Sequence, residues 1–554
     1  MRFLYTKNNL QGGEKLLERF FEILPGLTSW SIILGMILLS FYKITVAATI
    51  IIAFYLFWIL RLIYMTIFLV LSYFRLRMEQ KTDWMERIKI IDRMRDNSDI
   101  AIPQKIRGDL RKRLSDFIHE RQLVDLLKNN DTPPMSKDII HLVIFPIIRE
   151  SSEIIDLGMK SLSRQPFPTN RMVVFFALEE RAAPEIKSGI ITLEKKYKDQ
   201  FMDVQTIIHP QNLPGETRVK GANVTYAAKR AVEFFSSQKI SLENIIVSCF
   251  DADTVVSKDY FSCLTYTFLV TPRRIQRSFQ PIPVYHNNIW DVPGFARVIE
   301  TGSSFFQLIE ATNPDKLVTF SSHSMSLKSL VDVGFWPVDM ISDDSAIYWK
   351  SLIHYDGNYR VVPMYVTVSM DIAGSRSLFK TAKSVYKQKR RWAWGVENFP
   401  IVMRAFLKQS PISFRDKVRY GFKLFEGHIS WATWGFLLSF IGWFPILIAG
   451  REFETSVLYY NAPRISQTIF HLALLSLFVS IILSTKLLPQ KKSADSFWFK
   501  IGHALEWLAI PFILVIFSST PSLDAQTRLM LGKKMEFWVA NKRSFPPQKT
   551  NKPS

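Results

Sequence analysis

Cysteine is nearly absent. The 554 residues hold two, Cys249 and Cys263, too few for a disulfide framework, and Cys249 in its apolar run reads as a small buried residue. The opening stretch is short of apolar residues too. The chain starts MRFLYTKNNLQGGEKLLERF, too polar for a signal peptide, which predicts a cytoplasmic N-terminus. Acidic residues fall short of basic ones, 49 against 70, giving a formal net charge of +21. A nucleic-acid-binding domain would carry such an excess without flanking apolar runs. Here the basic residues border long apolar runs, so anionic lipid and the positive-inside rule account for them, and no nucleic-acid partner is expected.

What is present in quantity is apolar sequence, in two blocks. Leu27–Tyr42 and Ile44–Phe74, parted by Lys43 and interrupted at Arg61, read as two membrane helices (27–42 and 44–74) within an N-terminal region 1–80. An arginine at mid-bilayer is costly, so Arg61 should sit at a headgroup layer or face protein. Basic residues on both flanks put both ends inside. Apolar runs at 429–449, 465–483 and 497–517, the last weakened by Pro511, read as further spans of a C-terminal region 429–520. An interface helix at 406–428 precedes them. A basic, Trp-bearing interfacial helix and tail follow at 521–554. The chain reads as an integral protein, expected in a bacterial plasma membrane.

Between the blocks, 81–137 has the pattern of amphipathic, basic connecting helices with Trp84, Ile88, Ile91, Leu114, Phe117 and Leu123 as apolar positions. From 138 to 405 the pattern changes. The runs IIHLVIFP, MVVFFAL, VQTIIHP and NIIVSCF suit buried parallel strands and alternate with amphipathic segments. That predicts an open α/β sheet with ligands at the carboxyl ends of its strands. Glu150, Glu179 and the Asp251/Asp253 pair stand at those ends.

Three polar motifs carry candidate chemistry. FDADTVV sets two carboxylates one residue apart behind a buried strand, oxygen donors suited to Mg²⁺ or Mn²⁺; a loop pair serving turns is the plainer explanation of the same residues. ISDDSAIYWK opens a helix with Asp343 and Asp344, where acids suit the helix dipole and where a carboxylate can also serve as a general base. QKRRWAWG mixes cations with tryptophans. That composition fits a headgroup-level helix, and equally a sugar face on Trp392 with a diphosphate on Arg391.

Taken in order, the strand-end acid, D-x-D, acid pair and Q-x-x-R-W, from about Ile139 to Gly395, resemble the membrane-bound family 2 glycosyltransferases, the group with cellulose, hyaluronan and chitin synthases. The resemblance implies a GT-A-type, Rossmann-like α/β nucleotide-sugar-binding domain, cytoplasmic and inserted between N- and C-terminal transmembrane blocks. It implies nucleotide or substrate contacts at Pro146 and Glu150 (FPIIRE), Glu179 (ALEER, where the family has L-D-D-G), Lys220 and Asn223 (VKGANVT), Asp251, Gln280 (SFQPIPVYHNN), and Gln388, Arg391 and Trp392. Asp251 and Asp253 would hold the metal, with Asp344 as base beside Asp343. The segment FSSHSMSLKSL takes the place of an acceptor-binding stretch, with Ser322 instead of its glycine.

The implied activity is inverting, metal-dependent transfer from a nucleotide-diphospho-sugar, UDP-linked by preference, to a growing glycan at the membrane, with processive polysaccharide synthesis as the first reading. Transfer to a lipid carrier or membrane lipid is the alternative. A catalytically silent nucleotide-sensing or scaffold module is the third.

Overall fold

A computed structural model describes residues 3–8, 10–96, 110–128, 132–374, 377–408, 411–448, 457–489 and 497–535. The expected C-terminal interfacial helix falls, from residue 536 on, outside the described residues. The chain forms two compact units. Among the described residues, one comprises those up to Tyr73, Val292–Thr312 and those from 377 to 535; the other comprises Phe74–Asp291 and those from 313 to 374.

The second unit is built on an eight-stranded sheet. Its strands are β1 Ile140–Ile147, β2 Met172–Glu179, β3 Asp203–His209, β4 Ile245–Cys249, β5 Val255–Val256, β6 Arg277–Val284, β7 Ser324–Ser326 and β8 Arg360–Ser369, in the order β3-β2-β1-β4-β7-β6-β8-β5. The first four are parallel, with Pro146 level with Ala177 and Ile144 level with Cys249. They are the four apolar runs, and they read continuously apolar because both faces are covered. Helices Ser152–Leu162, Pro184–Tyr197 and Lys220–Ser237 alternate with them.

Beyond these four expected parallel strands the sheet is mixed. β7 pairs antiparallel with β4 and β6, and β5 antiparallel with β8, while β6 and β8 run parallel. The strands β5 and β7 are two and three residues long, too short for a periodic signal.

Trp84, Ile88, Ile91 and Leu123 pack into the same core as β1, β2 and β4, so the connecting helices Trp84–Asp96 and Leu110–Lys128 clamp the sheet. Leu114 and Phe117, expected on the same apolar face, are instead 53% and 58% exposed.

Three helices among the described residues, Gly12–Tyr42, Ile44–Glu79 and Ile501–Met530, are long and apolar enough to cross a membrane. Arg61 meets protein, pairing with Glu426 at 2.9 Å and lying 5.0 Å from the centre of the Trp58 ring. Ile33, Met36, Ala47, Ile51, Ala432, Leu437, Ile441 and Leu523 share one core. Ser29 donates to Gln526 at 2.7 Å and the Trp30 indole to Thr527 at 2.8 Å. Between apolar helices such side-chain hydrogen bonds add to the packing that holds them together.

The expected boundaries shift here. The interface helix at 406–428 and the start of the 429–449 span form one helix, Phe414–Ser439. It breaks at Phe440 into a 3₁₀ turn, Ile441–Trp443, and the short helix Phe444–Leu447. Gly442 lets the Tyr55 side chain approach this turn, since a Cβ there would fall 2.0 Å from the Tyr55 hydroxyl. The block expected at 497–517 runs on to Met530, with a π turn at Val515–Ser519 shortly after Pro511.

Candidate active site

The helix Lys220–Ser237 delivers Lys220 from its first residue. Its N-terminus is fastened by Thr217, whose amide donates to the Val338 carbonyl at 3.0 Å, and by Thr225, whose hydroxyl donates to the Trp336 carbonyl at 3.0 Å. Gly221 makes that approach possible. A Cβ there would fall 2.1 Å from the Pro337 carbonyl oxygen and 3.2 Å from the Asp343 side chain.

The Lys220 ammonium sits among three carboxylates. Its Nζ donates to Asp251 Oδ1 at 3.0 Å and to both oxygens of Asp344 at 2.9 Å, and lies 3.9 Å from Asp343 Oδ2. Asp251 comes from the end of β4, while Asp343 and Asp344 fill the first turn of the helix Asp343–His354. The position ahead of that helix is Ser342, so neither aspartate serves as its cap residue. Burial works against the charge on Lys220, but Asp251, Asp344 and Asp343 outweigh it and hold the ammonium well above its ordinary value.

A serine loop braces this cluster. Ser321 donates to Asp251 Oδ2 at 2.6 Å, and Thr319 donates to the Asp344 carbonyl at 2.6 Å. Gln280, buried in β6, accepts from the Phe320 amide at 2.7 Å. Ser322 has φ 62°, the left-handed conformation that favours glycine. The backbone therefore keeps the shape expected of a glycine while a serine occupies it. His323 is buried, its Nδ1 lying 3.0 Å from the Phe320 carbonyl and 3.8 Å from Asp344 Oδ1; burial holds its imidazole below the usual value.

Asp253 is 1% exposed, and its Oδ2 accepts from the Asp371 amide at 2.7 Å. Asn287 donates to its carbonyl at 2.9 Å. The D-x-D pair is therefore split in role. Asp251 presents its carboxylate, a quarter exposed, to the Lys220 cluster, and Asp253 is anchored in the loop behind it.

Other expected residues sit apart from this cluster. Glu150 folds back on its own loop, its Oε2 accepting from the Ile148 and Arg149 amides at 2.9 Å each. Pro146 is a partly buried residue of β1. Asn223 donates to the Ala177 carbonyl at 2.8 Å, tying its helix to β2. Glu179, at the end of β2, lies 3.5 Å from His209 Nδ1 and 3.3 Å from Arg181 Nε. His209 Nε2 is 2.9 Å from Glu216. Burial opposes charge on this histidine, yet Glu179 and Glu216 raise it above its ordinary value.

Gln388, Arg391 and Trp392 lie in the other unit, on the helix Leu378–Ala393. Gln388 is buried, and Arg391 and Trp392 are partly exposed. The two intervening cations are bound inward. Lys389 donates to Glu300 and to Ser303, each at 2.8 Å, and stands 3.8 Å from the centre of the Trp392 ring. Arg390 pairs with Asp524 at 2.8 Å. This basic aromatic stretch is thus mostly internal structure rather than a headgroup patch.

Sequence reasoning missed Ser321, Thr319 and Asp371. The first two belong to the FSSHS neighbourhood already singled out, whereas Asp371 acts through its backbone amide, which no side-chain pattern reveals.

No family model and no curated protein matches the chain. Among solved structures, it is similar to a mannosyltransferase from Pyrobaculum calidifontis in complex with GDP-Man and Mn²⁺, at 14% identity and TM-score 0.38, covering 72% of this chain and 97% of that one. It is also similar to residues 1–349 of S. aureus TarS, at 12% identity and TM-score 0.34, covering 72% and 93%. GalNAc-T7 with UDP, GalNAc and Mn²⁺ follows at 9% identity and TM-score 0.28, covering 55% and 57%.

Proposed function

We propose that the protein is a membrane-bound, inverting glycosyltransferase of the GT-A type. It would move a sugar from a nucleotide-diphospho-sugar to a growing glycan. One observation carries this reading. Carboxylates from a strand-end D-A-D and from an S-D-D motif more than ninety residues away meet on a single ammonium. They meet beyond the carboxyl end of the parallel strand β4, the edge at which open α/β sheets bind ligands. The order of the motifs, ending in Gln388, Arg391 and Trp392, supports the same reading.

In this proposal Asp344 is the general base. Its carboxylate takes the proton of the acceptor hydroxyl as that oxygen bonds to the anomeric carbon. The bond from the anomeric carbon to the diphosphate breaks, and its electron pair leaves with the diphosphate.

The donor set fits a hard divalent ion. Among the described residues no group of three or more potential ligands gathers, but Mg²⁺ or Mn²⁺ needs only one or two carboxylates when it keeps waters and diphosphate oxygens. Asp251, whose carboxylate is a quarter exposed, would hold it, with the buried Asp253 fixing the loop behind, and when bound it would offset negative charge on the leaving diphosphate.

The apolar helices support an acceptor at a membrane, with processive synthesis as the first form and a lipid acceptor as the second. Membranes containing the full chain are incubated with radiolabelled UDP-glucose, UDP-GlcNAc and GDP-mannose plus Mn²⁺. Label in polymer supports processive synthesis, and label in organic-soluble product supports lipid glycosylation. No transfer from any nucleotide sugar would leave the silent module and sink the enzyme.

A further inference from the structure

We propose that the Lys220 ammonium is a built-in competitor of the divalent cation, holding the D-x-D and the base together until a nucleotide diphosphate draws it away. This rests on the reading of the site given above and deepens it. An ammonium and a divalent metal want the same thing, namely carboxylate oxygens at short range. Lys220 already has one oxygen of Asp251 at 3.0 Å and both oxygens of Asp344 at 2.9 Å. The remaining Asp251 oxygen accepts from Ser321 at 2.6 Å. A metal approaching Asp251 therefore meets a carboxylate engaged on both sides, with a positive charge about 3 Å away.

Like charges so close oppose one another strongly, because at this separation in a partly buried site the repulsion exceeds thermal energy several-fold. Lys220 does not give way easily. Its helix is fixed at Thr217 and Thr225, and its side chain is 11% exposed. A diphosphate changes the balance by offering the ammonium oxygens of its own. Lys220 then neutralises diphosphate charge, Asp251 is released to the metal, and Asp344 is released to the acceptor. Metal and nucleotide diphosphate should consequently bind with positive coupling, and coupling of this kind is reciprocal. The arrangement also favours donor before acceptor, since Asp344 is relieved of its ammonium only when the diphosphate is in place.

The test is Mn²⁺ binding to the purified full chain, followed by electron paramagnetic resonance, with Mn²⁺ alone and with Mn²⁺ plus UDP or GDP. Lys220→Met should bind Mn²⁺ alone at least roughly tenfold tighter than the wild type, and nucleotide should tighten it much less than it tightens the wild type. Removing the cation from three acids could unfold the site, so Lys220→Met/Asp344→Asn, which restores one charge, is measured alongside and should show the same gain. Lys220→Arg should behave like the wild type. Equal or weaker Mn²⁺ binding by both Met variants, in protein whose melting temperature is retained, overturns the proposal while leaving the metal site standing. If neither wild type nor variants bind Mn²⁺ even with nucleotide, the metal reading falls, and this inference falls with it.

Discussion

The Ser322 hydroxyl lies 2.8 Å from that of Thr254, although Ser322 holds a backbone conformation, φ 62°, that serine seldom adopts. The contact links the loop beside Asp344 to the loop that carries Asp251 and Asp253. Strain at such a position persists only where the surroundings fix it.

Ser322→Gly should therefore be tolerated, with relief of strain offsetting the lost hydrogen bond and stability staying within about 1 kcal/mol of the wild type. Ser322→Val adds a branched side chain at positive φ and should cost about 1–3 kcal/mol. Thermal melts of the detergent-solubilised chain distinguish the two.

Gly221→Ala should be more damaging than a usual helix substitution. Alanine ordinarily improves a helix, but here its Cβ meets the Pro337 carbonyl oxygen at 2.1 Å. Overpacking of this kind should cost about 1–3 kcal/mol and displace Lys220, so transfer should fall further than the melting temperature alone suggests. An alanine variant as stable and active as the wild type would remove Gly221 from the account.

His209 gives a pH dependence with a definite sign. Glu179 and Glu216 raise its folded-state value above 6.5. Its stabilising contribution is then fully present below the unfolded value of about 6.5 and is lost as pH rises through the raised folded value. Melting temperatures of wild type and His209→Gln, measured from pH 5.5 to pH 9 (a range chosen around the roughly 6.5 reference), should differ most at the acid end and converge at the alkaline end.

Lys389 and Glu300 are 3% and 0% exposed. Lys389→Met strands the Glu300 carboxylate in the interior and should cost about 3–5 kcal/mol. Glu300→Gln/Lys389→Met removes both charges and should recover most of that loss. A double variant no better than the single would mean that the ammonium's contact with the Trp392 ring, not the ion pair, dominates.

Much of the second unit was legible because its four parallel strands are long, buried on both faces and therefore continuously apolar. The short strands β5 and β7 were not, since two or three residues carry no period. Of the site, Lys220, Asp251 and Asp344 were named from motifs, and geometry adds that they touch. The different fates of Asp251 and Asp253 could not be read, because one residue of spacing does not say which carboxylate a backbone amide will claim. Nor could the inward pairing of Lys389 and Arg390, whose partners Glu300 and Asp524 lie far off in the chain.

The central claim is that Asp344 is the base of a sugar transfer. The most direct test is single-turnover transfer from a labelled nucleotide sugar, at saturating Mn²⁺, by wild type and Asp344→Asn, with nucleotide binding measured in parallel. The rate should fall by about 10²–10⁴ with nucleotide still bound. Transfer by Asp344→Asn at the wild-type rate would contradict it.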